Sequence, residues 1–119
     1  MQLSSTVVVL CGIVLFRTTG LVEGPSPYHI TMEQPAPYYS PVLTSIPSGS
    51  PVQWDNKMAT VHTVTHDDCS TQKTCLFDSG PVVPGKSFIL SSLQPGTYPY
   101  YCRLHLIMRG TITVLKGTK

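Results

Sequence analysis

Charge is scarce in this chain: lysine, arginine, aspartate and glutamate make up 12% of 119 residues, and the net charge is +2. A balance so weak supplies no basic stripe for nucleic acid, and that class of partner is excluded. Aromatic residues are few, at 8%, with one tryptophan. Its large apolar area places Trp54 in a core. Helical periodicity is missing as well. Eleven prolines and nine glycines interrupt the chain every few residues, which excludes long helices and suits short strands and turns. No internal repeat is present. A chain of this length with 41% hydrophobic residues forms one domain around one core.

The uncharged apolar stretch at residues 6–16 has the length of a signal-peptide core, and Thr18-Thr19-Gly20 offers small residues for cleavage. It lacks a preceding Lys or Arg, and it is short for a bilayer span. Residues 1–22 are therefore expected to be an export signal or, if retained, an N-terminal membrane anchor. Residues 23–27 read as a linker and residues 28–119 as the folded domain. A lipoprotein reading of Cys11 is disfavoured by Leu10, where a small residue is expected. The expected location is periplasmic or otherwise extracytoplasmic, with membrane contact only through an uncleaved N-terminus.

Beyond that segment the cysteines are Cys69, Cys75 and Cys102. In an oxidising compartment paired thiols become disulfides and an odd one needs its own explanation. Cys69 and Cys75 can pair across a small loop. A second metal site using His66, Asp67 and Asp68, or two free thiols, are the alternatives there. Cys102 is the remainder, and a metal would explain why it stays free.

Strand-like alternation appears at residues 28–32, 42–46, 52–56, 60–65, 87–90, 96–102 and 111–115, with a brief strand at Leu76-Phe77. The proline-rich residues 34–41 read as an irregular edge connection. Pro84-Gly85 and Pro95-Gly96 read as type II turns. Seven to eight short strands at regular spacing indicate an all-β fold, a Greek-key β-sandwich.

The chemistry concentrates in Tyr101-Cys102-Arg103-Leu104-His105-Leu106-Ile107-Met108, where a thiol, an imidazole and a thioether stand three residues apart. Such soft donors suit copper, and two histidines, a cysteine and a weak methionine form the blue-copper set. Zinc would accept Cys and His but gains little from a thioether. The second histidine is assigned to His62 in Thr60-Val61-His62-Thr63-Val64-Thr65, with His29 and His66 as rivals. Met108 as ordinary core packing is the plainest competing reading.

These pieces resemble the cupredoxins, the blue copper electron carriers. The matching motifs are Val52-x-Trp54-x-Asn56, His62-Thr63-Val64-Thr65, Phe77-Asp78-Ser79-Gly80, Pro84-Gly85-Lys86-x-Phe88 and Gly96-x-Tyr98-x-Tyr100-x-Cys102-x2-His105-x2-Met108-x-Gly110. The two-residue gap between His105 and Met108 is similar to amicyanin, whereas plastocyanin has a longer one. The resemblance implies one copper ion held by His62, Cys102, His105 and Met108, cycling between Cu(I) and Cu(II), with the Thr63 N–H donating to the Cys102 sulfur. It also implies an electron carrier and not an enzyme; the alternative function is a copper carrier or chaperone that delivers the ion itself. Amicyanin-like loops carry proline where this chain has Leu104 and Leu106, so the Leu104 N–H is a possible second donor to that sulfur. Redox donor and acceptor proteins are expected to dock transiently on Leu104, Leu106 and Ile107 around His105; simple cover for the metal is the competing role of these residues. Arg103 and Arg109 flank the loop and would favour an acidic partner.

Overall fold

The computed structural model describes residues 24–117; the expected signal or anchor lies outside them. Alternating apolar residues build eight strands. They are β1 (Tyr28–Met32), β2 (Tyr39–Ser40), β3 (Leu43–Pro47), β4 (Val52–Asn56), β5 (Thr65–His66), β6 (Ser87–Leu90), β7 (Gly96–Cys102) and β8 (His105–Leu115). One sheet has the order β2-β1-β4-β6 and the other β3-β8-β7-β5. The chain changes sheet at every connection except β1–β2 and β7–β8. That crossing pattern makes β1 and β4, and likewise β3 and β8, parallel neighbours, while the other pairs are antiparallel. The fold is the expected two-sheet sandwich. Among the described residues no helix is long and apolar enough to cross a membrane.

The period-two pattern sets the core directly. In β4, Val52, Trp54 and Asn56 point inward while Gln53 and Asp55 point outward. Trp54 is fully buried, edge-on to Tyr100 at 5.4 Å and tilted against Phe88 at 5.7 Å. Tyr100 is in turn edge-on to Tyr39 at 4.7 Å. Edge-to-face contacts of this kind add about 0.5–1.5 kcal/mol each to the burial itself. Tyr100 faces Gly110 across the β7–β8 ladder. A Cβ at Gly110 would lie 2.6 Å from Tyr100 Cζ, so the ring occupies the place of the missing side chain. The hairpin therefore needs glycine at this position.

Three details of the strands depart from the alternation pattern, and the two expected turns have different outcomes. The proline-rich stretch contains a two-residue edge strand, because Tyr39 turns fully into the core. Of residues 60–65 only Thr65 belongs to a strand; His62 is held by an isolated bridge to Val82. Leu76-Phe77 forms no strand, and the next residue, Asp78, bridges to Thr65. Gly85, at φ 82°, closes a turn through Lys86 N–H to Val83 O, as a type II turn requires. Gly96, at φ 155°, opens β7 instead of completing such a turn.

Candidate metal centre

Strand β7 ends at Cys102, turns through Arg103-Leu104, and re-enters the ladder at His105, which pairs with Cys102 across an irregularity. His105 and Met108 thus stand on the first residues of β8, not in a free loop as the spacing alone implied. From the far side of the same end, the segment before β5 brings His62. His62 Nδ1 and His105 Nδ1 each lie 3.7 Å from Cys102 Sγ. The three donor atoms fall within 4.8 Å of one another. Met108 is buried and lines the same cavity as the two imidazoles. The structure thus brings His62, Cys102 and His105 together and sets Met108 in the wall of the adjoining cavity.

The rival histidines do not. His29 Nδ1 is hydrogen-bonded to Asp55 at 2.8 Å on the outside of the first sheet. His66 is buried beneath Phe77, its ring stacked at 5.2 Å. Cys69 and Cys75 form a disulfide, so Cys102 is the free thiol among the described residues.

The donor set fits a small soft cation. Two metal–ligand bonds of about 2.0 and 2.3 Å meeting near the tetrahedral or trigonal angle put nitrogen and sulfur about 3.5–3.7 Å apart. The observed separations of 3.7 Å match that requirement. Thr60 Oγ1 lies 2.9 Å from His62 Nε2, which orients the ring and leaves Nδ1 facing the sulfur, the usual role of an outer partner of a ligating histidine. Burial, followed by repulsion from His105, pulls the His62 pKa below its ordinary value, favouring the neutral imidazole that a metal needs. The thiol is fully buried and receives the Thr63 N–H at 3.3 Å. Among the described residues no hydrogen bond joins the Leu104 N–H to this sulfur, so the second donor inferred from the missing proline is not formed.

Thr60 and Tyr39 support the site without having been singled out in the sequence. Thr60 stands two residues before His62, the spacing at which side chains of an extended segment share a face, and that signal was available. Tyr39 Oη donates to Thr63 O at 2.6 Å from the opposite sheet; no local pattern reveals a contact across 24 residues. Burial raises the Tyr39 phenol far above its ordinary pKa, so it remains a donor.

Around the centre, Leu104, Leu106 and Ile107 are 56%, 65% and 79% exposed, and His105 lies among them at the surface. A cavity of about 300 Å³ opens beside them, lined by Tyr38, Met58, His62, His105, Ile107 and Met108. The flanking arginines already have carboxylate partners within the chain. Arg103 Nη2 reaches Asp78 Oδ2 at 2.8 Å, and Arg109 Nη1 lies 3.3 Å from Asp67 while its guanidinium sits over the Tyr101 ring. Burial pushes the Asp78 carboxyl up, but hydrogen bonds from Arg103, Gly80 N–H and Thr65, with the Arg103 charge, outweigh it and hold the pKa below its ordinary value.

No curated protein matches the chain by sequence. Among solved structures, a purple cupredoxin from Nitrosopumilus maritimus is similar at 28% identity, over 73% of this chain and 98% of that one, with a TM-score of 0.62. A single-residue variant of amicyanin in its Cu(I) form shares the fold at 22% identity, covering 83% of this chain and 90% of that one, TM-score 0.63. A copper-containing nitrite reductase from Thermus scotoductus SA-01 shares it at 20% identity and a TM-score of 0.68, over 87% of this chain but only 25% of that much longer one. Residues 6–114 match the family described as the cupredoxin-like domain, and with a match over nearly its whole length the chain belongs to that family.

Proposed function

We propose that this protein is an extracytoplasmic one-electron carrier with a single type 1 copper ion held by His62, Cys102, His105 and Met108. The observation that carries the reading is the convergence of two imidazole nitrogens and a buried thiol within 4.8 Å, next to a buried thioether. Copper, when bound, supplies the Cu(I)/Cu(II) couple. The chain's own part is to hold the donors still. Cys102 is fixed by the β7–β8 hairpin and the Thr63 N–H, His62 by Thr60 and the Val82 bridge. A framework that positions its ligands by packing and hydrogen bonds rearranges little when charge changes, which is what fast electron exchange needs. His105 reaches the surface among Leu104, Leu106 and Ile107, an apolar rim suited to brief, small-area contacts with redox proteins.

Adding Cu(II) to the protein is expected to produce an intense visible absorption band from the thiolate, and Cys102→Ser to abolish it. A colourless wild type, or a band that survives in Cys102→Ser, refutes the reading. Ready transfer of the ion to a metal-free acceptor would favour a copper-delivery role instead.

A further inference from the structure

The Phe77-Asp78-Ser79-Gly80 motif contributes no metal donor, yet its carboxylate closes a ring of hydrogen bonds beside the thiol. Arg103 N–H donates to Thr63 Oγ1 at 2.8 Å. Thr63 Oγ1 and Thr65 Oγ1 are 2.9 Å apart, and Thr65 Oγ1 donates to Asp78 Oδ1 at 3.1 Å. Asp78 Oδ2 then receives Arg103 Nη2 at 2.8 Å and Nε at 3.0 Å. The carboxylate dictates the sense of the whole ring. An ionised Asp78 can only accept, so Thr65 must donate to it; Thr65 then accepts from Thr63, whose own lone pair takes the Arg103 amide. Each hydroxyl accepts once and donates once, an arrangement in which successive bonds polarise one another.

The ring joins a surface ion pair to the interior. Arg103 and Asp78 have side chains 44% and 30% exposed, and a pair at that exposure contributes little alone. Thr63 and Thr65 are buried, and Thr63 carries the N–H that reaches Cys102 Sγ. Arg103 directly follows the cysteine. Asp78 itself is anchored to the same segment by the Thr65 bridge, by Ser79 N–H to Val64 O at 2.9 Å, and by Val64 N–H to Ser79 Oγ at 2.8 Å. Both peptide groups flanking the sulfur are therefore referenced to one carboxylate.

We propose that Asp78 is a positioning residue for the metal centre: acting through Thr65, Thr63 and Arg103, it sets the hydrogen bond received by Cys102 Sγ and with it the character of the thiolate. This assignment rests on Cys102 being a copper ligand. The variants Asp78→Asn, which removes the charge, and Thr65→Val, which removes the relay hydroxyl at nearly constant volume, test it. Asp55→Asn is the control, a hydrogen-bonded carboxylate on the outside of the other sheet. In the metal-free protein, the Thr63 and Arg103 amide hydrogens are expected to exchange about tenfold faster in both test variants after correction for global stability, the equivalent of one hydrogen bond. In the copper-loaded protein the sulfur-to-copper band and the reduction potential shift in both, stay put in Asp55→Asn, and return in Thr65→Ser. Unchanged exchange, band and potential in both variants, or equal shifts in the control, overturn the assignment. A wild type that shows no copper band sinks the proposed function instead, and the metal-free exchange rates still decide whether the ring acts.

Discussion

Replacing Gly110 with alanine puts one methyl group where the structure has no room for it. The new Cβ would approach Tyr100 Oη to 2.5 Å and Cζ to 2.6 Å, well inside van der Waals contact. Tyr100 cannot step aside, since it is fully buried between Tyr39 and Trp54. Overpacking of this kind costs about 1–3 kcal/mol. The narrower unfolded ensemble of alanine returns only about 0.4–1 kcal/mol, so a net loss of roughly 1–2 kcal/mol is expected. The sole tryptophan, Trp54, touches Tyr100 and serves as the probe in urea unfolding of the metal-free protein. With a urea slope of about 1 kcal/mol per molar, the midpoint falls by about 1–2 M. Tyr100 Oη is buried and makes no more than a weak contact with the Trp54 indole N–H beside it, so Tyr100→Phe alone should change stability by no more than about 1 kcal/mol. In the Gly110→Ala background it should recover about 0.5–1 kcal/mol by removing the nearest atom. An alanine variant within a few tenths of a kcal/mol of the wild type would show that the hairpin is not packed as described.

Asp55 accepts hydrogen bonds from Ser87, Gln53 and His29; although burial pushes its carboxyl up, these bonds hold its pKa at about 2. Because the folded-state value is depressed, its stabilisation is complete above the ordinary value near 3.8 and disappears as pH falls through about 2. Asp55→Asn should therefore cost about 1–2 kcal/mol at neutral pH and less than about 0.5 kcal/mol at pH 2, where about half the carboxyls are already protonated, by denaturant unfolding at each pH. Removing the orienting hydroxyl with Thr60→Val should weaken Cu(II) binding about 10–100-fold, measured by competition with a chelator, while leaving unfolding of the metal-free protein nearly unchanged. Ile107→Asp should slow electron exchange with partner proteins without altering the visible band; an unaltered rate would remove the docking role from this rim.

Short-range pattern carried much of this protein. Residues 28–32, 52–56, 87–90 and the first part of 96–102 could be recognised as strands because each alternates between a more buried and a more exposed face, and a period of two survives in the residues themselves. Tyr101, buried between Tyr100 and Cys102, breaks that pattern at the end of β7. The Cys102, His105 and Met108 spacing was equally legible, since three donors within seven residues lie close in space almost however the backbone runs. Cysteine parity singled out Cys102 once Cys69 and Cys75 were taken as a pair.

Contacts between distant segments were another matter. That Tyr39 leaves a proline-rich stretch to hold Thr63, that the Leu104 N–H makes no bond to the sulfur, and that Asp78 closes a ring with Arg103 all depend on how sheets and loops meet. The choice of His62 over His29 and His66 was finally one of direction. Each histidine lies in or beside a strand, and only the twist and stacking of the two sheets turn one imidazole toward the thiol, another toward Asp55 and the third beneath Phe77. Residue types and spacing determined the kind of chemistry this chain can perform. Tertiary packing decided which side chains perform it, because a hydrogen bond or a metal site depends on distances of a few ångströms between residues that local sequence cannot place relative to one another.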